Sequence, residues 1–213
     1  MRTIITLIAG VMLAVLTPNL GHAVNDEPLR IVAAGDSITQ GAGTTRPPAQ
    51  SWPARLRGEC GSDCRMINTG RGGSCLVAVG CGDPLRWVDT FKDEVLSHDP
   101  DLVIVALGRN DLCHATTRQM IDAYRDVRRA ARAADAITRF ATITPAGSKW
   151  QWPCEEQRIE VNTWLRAQRG TLEFERAVMT RTGLLRGAVD YDGLHLNKHG
   201  YDRLARIAYK EIF

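Results

Sequence analysis

Four residues could carry chemistry together: Ser37, Asn110, Asp192 and His195. Acyl transfer by serine needs a nucleophile, a base to take its proton, and donors for the negative oxygen of the tetrahedral intermediate. His195 is the candidate base, and Asp192 stands three residues before it. An imidazole acting as general base must hold one tautomer, which a carboxylate on its other nitrogen enforces. Asp-x-x-His lets one tight loop supply both groups. The side-chain amide of Asn110 could donate to the oxyanion, and so could the bare backbone N–H of Gly73. Taken singly, each residue has a plainer reading. A serine after a strand is a helix N-cap, a lone histidine is a loop residue, and an asparagine or glycine is turn chemistry.

What raises these residues above that background is where the chain puts them. Ser37 follows Leu29–Ala34, a short β-branched-rich run that stops at Gly35 and so reads as a strand ending in a turn. Ala42–Ala49 is a Gly/Thr/Pro-rich loop, and Ser51-Trp52-Pro53 starts a helix with serine as cap and proline in the first turn. Arg65–Asn68 is a second strand, running into the glycine-rich Thr69–Ser74. Pro84–His98 carries Leu85, Val88, Phe91, Val95 and Leu96 at helical spacing. Leu102–Leu107 is continuously apolar, as expected of a parallel strand covered on both faces, and ends at Gly108-Arg109-Asn110-Asp111. Thr117–Ala134 is a helix, Ile137–Ile143 a fourth strand stopped by Thr144-Pro145, and Cys154–Arg169 a helix. Phe174–Met179 reads as a fifth strand, and Lys198–Ile212 as a terminal helix.

This alternation predicts a three-layer α/β/α sandwich with a five-stranded parallel sheet in the flavodoxin-like order 2-1-3-4-5. In that order the switch point lies between strands one and three, where ligands bind beyond the carboxyl ends. Ser37 and Asn110 flank that crevice and Gly73 follows the neighbouring strand, so separate candidates converge on one place. Asp36 and Asp111, beside two of them, read as backbone-bonding turn residues. His114 could line the pocket or sit on the surface, and His199 reads as exposed on the terminal helix. Trp150 and Trp152 could wall an acyl or aryl group or cap the core.

The chain of 213 residues has a formal net charge of +3. Residues 1–23 read as a secretory signal: Arg2, a thirteen-residue apolar stretch from Ile4 to Leu16, then Gly21-His22-Ala23. That stretch is shorter than the roughly 18 residues a membrane span needs, so stable membrane insertion is not expected. Without 1–23 the domain at 24–213 keeps 26 basic and 24 acidic residues, too even a balance to argue for nucleic acid. The arginines at 118, 125, 128, 129, 132 and 139 read as a solvated helix face. Six cysteines in an exported chain favour disulfides, and a secreted or periplasmic location follows. Six allow fifteen connectivities. Pairing near neighbours gives Cys60 with Cys64, Cys75 with Cys81, and Cys113 with Cys154; only the last closes a long loop, worth about 3–5 kcal/mol. No CxxC or HExxH calls for zinc, and neither GxGxxG nor GxxxxGK[ST] calls for a nucleotide, so no cofactor is implied.

With these residues in view, the chain resembles the SGNH (GDSL) hydrolases. The match is Gly35-Asp36-Ser37-Ile38, Asn68-x-Gly70-x-x-Gly73, Gly108-x-Asn110-Asp111 and Asp192-Gly193-Leu194-His195, four blocks in the family's order. The resemblance implies Ser37 as nucleophile, His195 as base, Asp192 as its orienting carboxylate, and an oxyanion hole from the Ser37 and Gly73 N–H groups with the Asn110 side chain. It implies a secreted serine esterase acting on a small-molecule or glycan ester, with a carbohydrate deacetylase or lysophospholipase as the alternatives. A secreted binding module that keeps the fold is the rival from another class, though a binder has no need of Ser37, Asp192 and His195 together. The number of subunits is left open.

Overall fold

A computed structural model describes residues 27–150 and 154–213. The expected signal segment at 1–23 and Trp152 lie outside the described residues. Four strands form, β1 (Leu29–Gly35), β2 (Cys64–Asn68), β3 (Leu102–Ala106) and β4 (Ile137–Phe140), of which the central β1 and β3 are the most buried. All pair in parallel, in the order β2-β1-β3-β4. The central β1 sets Ala33 beside Asn68 of β2 and Gly35 beside Ala106 of β3, so the strand ends that precede the candidate residues lie side by side.

Successive side chains on a strand point to opposite faces, and here each face has its own core. Ile31, Ala33, Leu102 and Ile104 meet α2 (Trp52–Cys60), α6 (Phe174–Val178) and α7 (Lys198–Ile212) through Trp52, Leu56, Phe174, Val178, Tyr201 and Leu204. Val32, Ala34, Val103 and Val105 meet α3 (Trp87–Glu94), α4 (Thr117–Ala133) and α5 (Glu155–Arg166) through Trp87, Phe91, Met120, Tyr124, Val161 and Leu165. Helices on both faces of a parallel sheet make the three layers expected of βα alternation.

The helices begin where side chains can satisfy their first N–H groups. Ser51 accepts from Ala54 at 3.4 Å ahead of α2, with Pro53 in the first turn. Thr116 and Gln119 close a capping box on α4, and Asn197 accepts from His199 and Gly200 ahead of α7. On α4 the apolar stripe of Met120, Ala123, Tyr124, Val127 and Ala131 is buried, while Arg118, Arg125, Arg129 and Arg132 face solvent. The helix expected over Pro84–His98 is shorter: α3, then a 3₁₀ turn at Leu96–His98.

The sheet departs from expectation at its far edge: among the described residues it has four strands rather than five. Leu172 makes a single parallel bridge to Ala141, and Phe174–Val178, read as a strand, is the helix α6. Two features turn the chain there. Phe174 and Val178 stand four residues apart and bury in the same core, a helical spacing. The Glu175 N–H donates to the Thr142 hydroxyl at 2.9 Å instead of continuing a ladder, and the Glu175 carboxylate pairs with Arg158 and Arg166.

The cysteines pair as Cys60–Cys64, Cys75–Cys81 and Cys113–Cys154, the last spanning 41 positions. Among the described residues no helix is long and apolar enough to cross a membrane.

Candidate active site

The nucleophile candidate stands where β1 turns into α1 (Ser37–Gln40). The turn is too tight for any side chain at position 35: a Cβ on Gly35 would sit 1.9 Å from Thr39 Oγ1. Asp36 is the N-cap, its Oδ1 accepting from the Ile38 N–H at 2.9 Å, which is the backbone role its place in the turn predicts. Asp36 is 3 % exposed, and burial pushes its carboxyl up to about 6. Ser37, the first residue of α1, is half-buried, and like every first-turn amide its N–H has no acceptor within the helix.

His195 reaches it from the loop between the Val189 region and α7. Its Nε2 lies 3.0 Å from Ser37 Oγ, across 158 positions of sequence, and its Nδ1 lies 2.7 Å from Asp192 Oδ2. The other Asp192 oxygen, Oδ1, accepts from the Leu194 N–H at 3.0 Å and the His195 N–H at 2.8 Å. Partial burial would raise the Asp192 carboxyl, but these hydrogen bonds, led by that from the His195 ring, hold it below its ordinary value. An ionised carboxylate only accepts, so Nδ1 donates to Asp192, and it is Nε2 that a neutral ring would offer as acceptor to the Ser37 hydroxyl. The hydrogen-bond chain therefore runs in the direction that general-base activation of a serine requires.

The loops after β2 and β3 close on the other side of Ser37. Asn68 ties down the first: its Nδ2 donates to Thr39 O at 2.9 Å and Ser51 Oγ at 3.1 Å, while its Oδ1 accepts from the Gly70 N–H. Arg71 N–H and the Ser74 hydroxyl both donate to Gly35 O, so Gly73 lies on a loop stitched to the nucleophile turn. Asn110 Nδ2 donates to Ser74 O at 2.8 Å. That bond uses one of the two amide hydrogens and orients the other for an incoming acceptor. Asp111 is fully buried, and its carboxylate accepts from the N–H groups of Leu76, Val77 and Ala78, each at 2.8 Å. Beside it, Arg109 is buried with its guanidinium on Glu155 and Thr144 O. The Cys113–Cys154 bridge joins this loop to the start of α5.

The structure thus brings Ser37, His195 and Asp192 into one hydrogen-bonded chain, with Asn110 and the Gly73 loop joined to each other through Ser74. His114 and His199 are exposed. Trp150 lies against the His195 loop rather than in the core. Two contributors were not singled out in the sequence: Ser74, which acts through both its carbonyl and its hydroxyl, and Arg109, whose one mark is its place between Gly108 and Asn110. Among the described residues no group of three or more His, Cys, Asp or Glu is placed to hold a metal ion.

A parallel α/β sandwich carrying a hydrogen-bonded serine, histidine and aspartate at the carboxyl edge of its sheet defines a hydrolase. This chain belongs to the GDSL-like lipase/acylhydrolase family, whose model matches residues 33–203. Solved structures share the fold at low identity. A G-D-S-L family protein from Desulfitobacterium hafniense DCB-2 superposes with a TM-score of 0.72 at 19% identity, covering 86% of this chain and 99% of that one. A carbohydrate acetylesterase family member from Sinorhizobium meliloti gives 0.69 at 18%, covering 85% and 96%. The acetylxylan esterase Axe2 from Geobacillus stearothermophilus gives 0.69 at 17%, covering 88% and 96%. No curated protein sequence matches the chain.

Proposed function

We propose that the protein is a secreted serine esterase that hydrolyses carboxylic esters through Ser37, His195 and Asp192. The observation that carries this reading is the unbroken path from Asp192 Oδ2 through His195 to Ser37 Oγ, at 2.7 and 3.0 Å. Ser37 Oγ attacks the ester carbonyl while His195 Nε2 takes its proton. The Ser37 and Gly73 N–H groups and the Asn110 amide receive the oxyanion. His195 then returns the proton to the leaving alcohol, and water, deprotonated at the same nitrogen, releases the acyl group from Ser37. The signal-like composition of 1–23 and the three disulfides support export.

A glycan ester is the second reading of the substrate. Two of the fold neighbours are a carbohydrate acetylesterase family member and an acetylxylan esterase. The Asp192 and His195 side chains, 40% and 23% exposed, also stand on an open edge that a bulky alcohol can approach. Ser37→Ala is expected to abolish turnover of a short-chain aryl ester, and a fluorophosphonate is expected to label Ser37 in the native chain. Activity surviving in Ser37→Ala, or no adduct, refutes the esterase. Rates on aryl esters of increasing chain length, set beside acetylated sugars, separate the two substrates.

A further inference from the structure

The Asp192–His195 turn is closed within itself, because both oxygens of Asp192 bond to Leu194 and His195. Those bonds set the shape of the turn but not its place over Ser37. At its base the loop is fixed by the Asp190–Leu196 bridge and by Asn197 Nδ2, which donates to Ala188 O at 3.1 Å and Asp190 O at 3.3 Å. At its tip Asp192 is exposed and Gly193 is buried, with the Gly193 N–H donating to Asp190 Oδ1 at 2.5 Å, and a further fastening comes from the segment after β4. Gly147 N–H donates to Gly193 O at 2.7 Å, and the indole Nε1–H of Trp150 donates to Asp192 O at 3.0 Å. The segment is itself held: Trp150 N–H donates to Gly147 O at 3.0 Å, and Leu185 N–H donates to Ala146 O at 2.9 Å.

The two pieces fit only as they stand. Gly193 has φ +97°, and a Cβ added there would lie 2.4 Å from Trp150 Cδ1. Glycine therefore serves twice, accepting the left-handed backbone and clearing the ring. Trp150 is 43% exposed, so burial of its ring does not account for this fit. A large ring half in water that spends its N–H on the main chain of the general base's carboxylate partner is placed for orientation.

Resting on the reading of Ser37, His195 and Asp192 as the catalytic set, we propose that Trp150 is a positioning residue of the esterase: its indole N–H holds the tip of the Asp192–His195 loop, and with it the imidazole, in register with Ser37. It touches none of the reacting atoms and acts through Asp192. Loss of this bond leaves the turn and the Gly147–Gly193 bond in place but loosens the main chain at Asp192, so Nε2 spends less time within reach of the Ser37 hydroxyl. A displacement of this kind lowers kcat and leaves ester binding unaltered.

The test is Trp150→Phe in the full chain, which keeps an aromatic ring over Gly193 and removes the donor. A net hydrogen bond of ordinary strength predicts a kcat about 3–10-fold lower on an aryl acetate. KM is expected to stay within about twofold and the melting midpoint to stay put. The downfield proton resonance of the His195 Nδ1–H is expected to broaden through faster exchange with water, a signature that a merely structural ring would not move. Wild-type kcat with an unaltered resonance overturns the proposal. So does a raised KM at unchanged kcat, which would make Trp150 a substrate wall. Activity surviving in Ser37→Ala removes the catalytic set itself, and the proposal with it, whatever Trp150→Phe does.

Discussion

Replacing Asp36 by asparagine should stabilise the protein at neutral pH and leave it little changed in mild acid. Asp36 is 3% exposed, and burial raises its carboxyl from 3.8 to about 6, opposed by the Ile38 N–H, His195 and Arg109 and aided by the nearby charge of Asp111. The native carboxyl thus holds its proton at pH values where the unfolded one has lost it. Where the native state binds more protons, stability falls as pH rises. The loss begins near the unfolded value of 3.8 and is complete above about 6. At about 1.36 kcal/mol for each pH unit of that interval, the ionised carboxylate costs about 3 kcal/mol at neutrality. Asparagine caps a helix as well as aspartate does and keeps an oxygen for the Ile38 N–H, but has no charge to bury. Urea unfolding of both proteins from about pH 4 to about pH 7, with intact disulfides, measures the difference directly. Titrating groups that do not interact with Asp36 are common to the two chains and cancel. The stability of Asp36→Asn relative to the parent is expected to climb by about 3 kcal/mol across that range. A difference that stays flat, or falls, refutes a buried carboxylate titrating in this window.

Two further outcomes follow from the geometry. Asn110→Ala removes an oxyanion donor and should lower kcat by about 10²–10³ with KM nearly constant in steady-state assays, whereas an effect confined to KM would deny it that role. Arg158→Ala breaks the pairs with Glu155 and Glu175, leaving Glu175 to Arg166 and Glu155 to Arg109, and should cost about 1.5–3 kcal/mol in urea unfolding through the lost charged hydrogen bonds. Burial alone would raise the Glu175 carboxyl, yet Arg158 and Arg166 hold it below its ordinary value, so its stabilisation is present at neutral pH and is lost as pH falls. The stability gap between parent and Arg158→Ala should therefore narrow on acidification.

Much of this was legible in the sequence because it is local. Leu102–Leu107 announced β3 by an unbroken apolar run, and Lys198–Ile212 is α7 residue for residue, capped by Asn197. Asp192 and His195 are three positions apart, so their bond needed no knowledge of the fold. The four blocks stood in family order at the ends of recognisable strands, which was enough to point Ser37, Gly73 and Asn110 toward one edge.

Tertiary structure decided whatever depended on which distant groups share an interior. Phe174–Met179 has the composition of a strand, but its partner there is the Arg158–Glu175–Arg166 cluster, and the chain coils to reach it. Asp111 is one more acidic turn residue until three N–H groups from 76–78 close on it, and Trp150 is an ambiguous aromatic until its N–H meets Asp192 O. Hydrogen bonds between residues far apart along the chain leave no period or spacing to read, since either partner alone is satisfied equally well by water. The sequence by itself determined which residues could react. Packing on the two faces of one sheet decided that Ser37 and His195 would meet.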